Sequence, residues 1–211
     1  MVAWLDLLAQ PASFAAQLAK LKAAPGARKL VSVRHVAEAE SDADWLARPE
    51  VAENLNQAHM PFDLLIRTRN LSSALQLVQR CPDVPFVIDH MAKPDVTGDA
   101  WVDEAAWLVG MTALSRHENV HCKVSGFYAA DPTKSFKPDQ SRVNHFVAQV
   151  CALFGPGRLI WGSDWPVSLG LNGMTLPANI DTFKTALEHC NCTAAQIEAI
   201  FEKNGRSFYK L

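Results

Sequence analysis

The sequence predicts an α/β protein built on a parallel sheet, and three observations carry that prediction. Short apolar β-type runs alternate with segments of helical period six times along the 211 residues. The β-type runs are nearly continuous in apolar residues, as expected for strands buried on both faces. Polar residues collect at the C-terminal ends of those runs, the edge at which parallel α/β proteins bind ligands. Strand, helix and strand in repeated succession imply helical crossovers between parallel neighbours.

The elements follow in order. The β candidates are "VAWLDL" (2–7), "KLVSVRHV" (29–36), "FDLLIR" (62–67), "VPFVIDH" (84–90), "VHCKVSG" (120–126) and "RLIWGSD" (158–164). Helical stripes stand between them: Phe14, Leu18 and Leu21; Val51, Leu55 and Ala58; Leu71, Leu75 and Val78; Val102, Ala105 and Val109; and Val143, Phe146, Val147 and Val150. Apolar residues recurring at three and four positions mark the face of a helix that covers a sheet. "DPTKSFKPDQ" (131–140) reads as an irregular loop, and "VSLGLNGMTLPANI" (167–180) as a second long loop. Helices around Phe183–Leu187 and Ile197–Phe201 close the chain, which reads as one domain over 1–211.

Composition narrows the function. Hydrophobic residues make up 49% of the chain, enough for a sizeable core, and the formal net charge of −2 comes with no basic cluster. The phosphate-neutralising surface of a nucleic-acid binder is therefore not expected. No apolar run is long enough to span a bilayer, and "MVAWLDLLAQPASF" has no charged segment ahead of its apolar stretch, so neither a membrane partner nor a secretory signal is expected. Five scattered cysteines suit reduced thiols in a cytoplasmic compartment. "HCNC" (189–192) has no second ligand pair at matching spacing and makes a poor zinc clip. Neither a G-x-G-x-x-G nor a P-loop fingerprint is present, so nucleotide binding has no support.

Candidate site residues are those at the strand ends: Arg34 and His35, Arg67, Asp89 and His90, Ser125, and Asp164. Adjacent strand residues point to opposite faces. Only one of each adjacent pair is then expected at the site: His90, with Asp89 toward the helix layer, and Arg34, with His35 structural. His59, His117, His121, His145 and His189 read as surface or packing residues of helices and helix-to-strand connections, while Asp6 and Lys123 stay unassigned. Opening a cyclic ester needs a base for water, a group that polarises the carbonyl, and a place for developing negative charge. Asp164 can be the base and His90 the hydrogen-bond donor. Arg34 and Arg67 can hold a carboxylate. Ser125 adds a polar contact, and Lys93 and Trp165, beside His90 and Asp164, complete the expected substrate-binding set.

"VSVRHV", "VIDHMAKP", "CKVSGF" and "LIWGSDWPV", in that order, together with the closing "FEKNGRSFYKL", resemble the amidohydrolase-related, metal-dependent-hydrolase-like family. Its branch of sugar lactonases and 2-pyrone-4,6-dicarboxylate lactonases is the most similar. The resemblance covers residues 2–211 and implies a (β/α)₈ TIM-barrel fold. It implies that Asp164 is the acidic residue of the last barrel strand, which activates water, and that His90 is the sixth-strand histidine. It implies a small-molecule lactone as substrate, and a divalent metal such as zinc in full-length members. In this chain His90 and Asp164 are the ligands on offer.

The family opens with a strand carrying His-x-His, and no His-x-His occurs in this sequence. A typical barrel has roughly 250 residues and eight strands. The sequence is therefore expected to form an incomplete, N-terminally truncated barrel of six β/α units that starts at the third strand, with its metal site in question. "VAWLDL" and "RLIWGSD" become open edges through which the chain can self-associate. The alternatives are a catalytically inactive barrel serving as a binding or interaction module, an incomplete gene model, or an open doubly wound α/β protein.

Overall fold

Six strands form one parallel sheet in the order β1-β2-β3-β4-β5-β6 in the computed structural model, which describes residues 1–97, 103–128 and 137–211. The strands are β1 (Val2–Trp4), β2 (Ser32–His35), β3 (Phe62–Leu64), β4 (Phe86–Ile88), β5 (Val120–Val124) and β6 (Leu159–Trp161). Each strand pairs with its sequence neighbour, as consecutive right-handed β/α units require. A strand order that reverses in the middle would mark the doubly wound alternative, and the sequential order excludes it.

The ladders are shorter than the sequence suggests. The first strand ends at Trp4, the third at Leu64 and the fourth at Ile88. Their starts are set by backbone acceptors: Pro61 takes the Val33 N–H and Pro85 takes the Phe62 N–H. A proline at the head of a strand gives up nothing, because it has no N–H to pair.

Register sorts the side chains into two layers. Val33, Phe62, Leu64, Phe86, Ile88, Val120, Cys122, Val124 and Leu159 lie in the main core. Val87, Ile160 and Phe208 form a separate small cluster on the other face. The same inner face carries Arg34 opposite Asp63, and Lys123 opposite Ile160.

Helices cover the outer face. They are α1 (Pro11–Ala23), α2 (Pro49–Ala58), α3 (Leu71–Arg80), α4 (Glu104–Ser115), α5 (Gln140–Phe154), α6 (Val167–Asn172), α7 (Leu176–His189), α8 (Ala194–Glu198) and α9 (Asn204–Tyr209). Proline occupies the first turn of α1, α2 and α7, where a missing N–H costs nothing. Asp139 caps α5 by accepting from Ser141 and Arg142. Full burial of Phe14, Phe62, Phe86, Trp107 and Phe146 contributes about 1.5–3 kcal/mol apiece.

Two readings of the helical layer need correction. In α4 the covering stripe is Trp107, Met111 and Leu114, whereas Ala105 is exposed and Val109 is 71% exposed. The larger apolar area of Trp107 wins, and its Nε1–H donates to the Met91 carbonyl, which fixes the rotation of the helix. Val102 lies outside the described residues, as does most of 131–140. The expected loop over 167–180 contains α6 and the start of α7, separated by Gly173 in a left-handed turn. Thr175 then caps α7. Among the described residues no helix is long and apolar enough to cross a membrane.

Candidate active site

The strand ends converge because the chain does not continue straight after β4. His90, Met91, Ala92 and Lys93 all have positive φ, between 54° and 57°. Four non-glycine residues in the left-handed region cost on the order of 1–2 kcal/mol each. The Trp107–Met91 bond and the bond from the Lys93 N–H to the His90 carbonyl hold the turn. Strand alternation puts Asp89 on the inner face with Val87, and the left-handed turn brings His90 back to the same edge, which overturns the expectation for Asp89. Its carboxylate does not face the helices. It lies on the inner face, 2.6 Å from Lys123 Nζ and 3.2 Å from Arg34 Nη1. Asp89 and His90 therefore flank one site from opposite sides of the turn.

His90 is the centre of the first cluster. Its Nδ1 lies 2.8 Å from Ser125 Oγ, and its Nε2 lies 3.3 Å from Asp164 Oδ1. A carboxylate only accepts, so the proton belongs on Nε2, and Nδ1 accepts from the Ser125 hydroxyl. Burial holds the imidazole below the usual histidine range, and the pull of Asp89 and Asp164 does not offset it. His90 is thus a neutral donor. The other oxygen of Asp164 accepts from Tyr128 O–H at 2.9 Å. Burial and the neighbouring Asp164 push the Tyr128 phenol up, so it stays protonated.

Gly126 makes this closeness possible. Its φ is +69°, and a Cβ there would lie 2.5 Å from Tyr128 Cε2 and 3.0 Å from His90 Nδ1. Asp164 itself adopts φ of 51° where β6 has ended, and its side chain is 8% exposed.

Cations line the next layer. Glu38, in the turn after β2, takes Lys93 Nζ on Oε1 and Arg67 Nε on Oε2 at 3.1 Å. Lys93 Nζ stands 4.4 Å from the centre of the Tyr128 ring, and the Arg67 guanidinium carbon 5.8 Å. Burial lowers the Lys93 pKa, and Glu38 opposes that.

A second network forms the floor. Lys123 Nζ lies 2.6 Å from both Asp63 Oδ2 and Asp89 Oδ1. Asp63 also accepts from Ser32 Oγ and from Tyr209 O–H at 2.8 Å. Burial works against the Lys123 charge, but Asp89 and Asp63 raise its pKa well above the usual range. Burial pushes Asp89 up, and the Lys123 and Arg34 cations act against it, leaving the carboxyl below its usual value.

Of the residues named from sequence, the structure brings together His90, Asp164 and Ser125, with Lys93 and Arg67 beside them. Arg34 belongs to the floor, paired to Asp89. Trp165 is 68% exposed; its backbone N–H donates to Ser163 Oγ at 3.3 Å. His35 is a packing residue, stacked on Trp45 at 3.9 Å and bonded to Glu40. His121 corrects the expectation of a helix or connection. It sits within β5 and packs on Phe208 at 4.8 Å.

Glu38, Asp63 and Tyr128 were missed, and Lys123, left unassigned, belongs to the floor of the site. Lys123 lies within β5 and precedes Ser125, just past its end, by two residues, so alternation would have placed both on the inner face. Asp63 interrupts an apolar strand, a signal in itself. Glu38 lies in a single 3₁₀ turn and Tyr128 at an isolated bridge to Asp95, where no periodicity points.

The donor set does not fit a resident metal. His90 and Asp164 give two ligands that bond to each other, and among the described residues no group of three or more His, Cys, Asp and Glu side chains could hold a metal ion. A structural or catalytic zinc takes at least three protein ligands.

Comparison with known proteins follows the same lines. The family model described as Amidohydrolase matches residues 2–211. An L-fucono-1,5-lactonase of Burkholderia ambifaria is 40% identical over 172 residues, 80% of this chain and 55% of that protein. A 2-pyrone-4,6-dicarboxylate hydrolase of Comamonas testosteroni is 35% identical over 85 residues, 38% of this chain and 27% of that protein. The crystal structure of an amidohydrolase from Burkholderia multivorans with bound zinc superposes with a TM-score of 0.85 at 25% identity, over 100% of this chain and 72% of that one. The chain thus spans little more than half the length of the curated lactonases it matches, 55% and 58%. The fold is that of the family's TIM barrels over the shared part.

Proposed function

Because the chain belongs to the amidohydrolase family whose model matches residues 2–211, we propose that it hydrolyses the cyclic ester of a sugar acid, with Asp164 as the base that activates water. The observation that carries this reading is the pairing of Asp164 with a neutral, Nε2-protonated His90 at the C-terminal edge of the sheet. Each Asp164 oxygen accepts one hydrogen bond, from His90 or from Tyr128, and keeps a lone pair for the proton of a water. The water oxygen attacks the lactone carbonyl carbon as its proton passes to Asp164. Negative charge builds on the carbonyl oxygen, where the N–H groups of Lys93 and Arg67 beyond those given to Glu38 are the available donors. The C–O bond of the ring then breaks, and the departing alkoxide recovers the proton from Asp164. The product is an open hydroxy acid, and the base is regenerated. Ser125 is the positioning residue for the His90 tautomer.

Charge favours a neutral sugar lactone over a pyrone dicarboxylate. Arg34, Arg67, Lys93 and Lys123 are each already paired to Asp89, Glu38 or Asp63. A dicarboxylate would have to displace these internal acids, whereas a polyhydroxylated ring needs only donors and acceptors. The lactonases among the relatives agree with this choice.

The test is hydrolysis of a panel of sugar-acid 1,5-lactones and a pyrone dicarboxylate by the purified chain, followed by proton release. Turnover of a sugar lactone that Asp164→Asn lowers by about 10²–10⁴-fold supports the reading. Turnover that survives Asp164→Asn, or that is confined to the dicarboxylate, refutes it.

A further inference from the structure

Glu38 takes no part in the chemistry proposed above, yet the fold holds it at the site with care. It lies in the single 3₁₀ turn Ala37–Ala39 that follows β2. Its N–H donates to the Leu65 carbonyl at 3.1 Å. Arg69 Nη2 donates to its carbonyl at 2.8 Å and to that of Glu40 at 2.6 Å. With its backbone pinned on both sides, the side chain meets cations from two other strand ends. Lys93, beyond β4, donates to Oε1, and Arg67 Nε, beyond β3, stands 3.1 Å from Oε2. Oε2 is buried and takes no hydrogen bond among the described residues, so the Arg67 charge is what answers it. With one oxygen buried and the other engaged by Lys93, Glu38 acts on the site through these two cations. Both stand over the ring of Tyr128, whose hydroxyl reaches Asp164.

The charges balance. Lys93 and Arg67 are matched by Glu38 and Asp164, and on the floor Lys123 and Arg34 are matched by Asp63 and Asp89. Building on the lactonase reading of this edge, we infer that Glu38 sets the charge selectivity of the site, holding Lys93 and Arg67 so that uncharged rings are accepted and carboxylate-bearing rings refused. A lysine and an arginine side by side, without an acid between them, would make a receptor for a carboxylate. A fixed carboxylate between them sets like charge against an incoming one, and this repulsion does the discriminating. Hydroxyl groups of a neutral ring escape that penalty and still find the N–H groups that Lys93 and Arg67 do not give to Glu38. Glu38 is thus a positioning residue, and Glu38→Gln removes its charge at nearly constant shape.

The experiment is titration calorimetry with isophthalate, a planar ring with two carboxylates and no ester, against isophthalamide, its neutral counterpart. The unaltered chain should bind isophthalate no more tightly than the diamide. Glu38→Gln should bind isophthalate about tenfold more tightly than the unaltered chain does, with diamide binding unchanged. That gain should shrink as salt rises from about 20 mM to about 500 mM. Lys93→Met added to Glu38→Gln should abolish it, and Glu38→Asp, which keeps the charge, should behave as the unaltered chain. No gain in a folded Glu38→Gln, an equal gain for the diamide, or a gain that survives Lys93→Met would each overturn the inference. If Glu38→Gln does not fold, the unaltered chain decides, because isophthalate binding tighter than diamide binding refutes charge selection. Neither probe is hydrolysed, so this result stands apart from the lactone assay, in which the hydrolytic reading fails through turnover that survives Asp164→Asn.

Discussion

His90 and His121 sit on neighbouring strand units, and burial lowers the pKa of both, yet their surroundings differ in kind. His90 has a partner on each nitrogen, Ser125 and Asp164, and carboxylates on both sides. His121 rests on the Phe208 ring with no acid near it and falls to about 4. Burial alone therefore does not make a reactive histidine. What distinguishes His90 is that its proton has a defined place and a defined acceptor, while the neutral state of His121 serves packing.

The comparison breaks most visibly in activity. His90→Leu should lower kcat/KM for the lactone by about 10²–10⁴-fold, while His121→Leu should stay within about threefold, measured side by side by proton release. The same contrast should appear against pH. Activity should hold through the ordinary histidine range and fall only below it, because His90 takes up a proton later than a free imidazole does.

Next in size is the floor beneath the two histidines. Lys123→Met leaves Asp63 and Asp89 buried without their shared cation, which should cost about 3–5 kcal/mol of unfolding free energy in urea titrations. Replacing all three by apolar residues of similar volume should recover most of that loss, a result that would separate the charge from its geometry.

His121 then supplies a pH signature of stability. Its folded pKa near 4 lies below the ordinary value of 6.5, so the unfolded chain takes up the proton first as pH falls. The contribution is complete above about 6.5 and is lost on descending toward 4, at most about 3 kcal/mol. His121→Phe should flatten the stability profile in that window, which urea midpoints at several pH values would register.

The smallest effect sharpens the His90 side. Tyr128→Phe removes the O–H that Asp164 accepts. It should lower kcat roughly tenfold with little change in KM.

Much of this architecture was legible in the residues. The six strands, their order and their apolar outer face follow from runs such as "VPFVI" and from the helical stripes between them. His90, Ser125 and Asp164 were legible as polar residues at strand ends. Asp89 was misplaced because it and His90 were given opposite faces: alternation turns Asp89 inward with Val87, and a left-handed turn that no strand rule describes swings His90 in as well. The α4 stripe was misread because three apolar residues at helical spacing counted equally, although one tryptophan outweighs two small side chains in buried area. Glu38 and Tyr128 could not be read, since both owe their place to where distant turns meet.

The hydrogen bond from Tyr209 to Asp63 crosses 146 residues of sequence. At ribosomal speeds of about 5–20 residues per second, Asp63 is joined to the chain roughly 7–30 s before its phenolic partner is. During that interval β3 has emerged with one arm of its buried acid unfilled, and Lys123, made earlier, is the cation that can neutralise it. Helix α9 thus acts as a timed closure: the inner layer of Val87, Ile160 and Phe208 becomes complete only once that helix has been made.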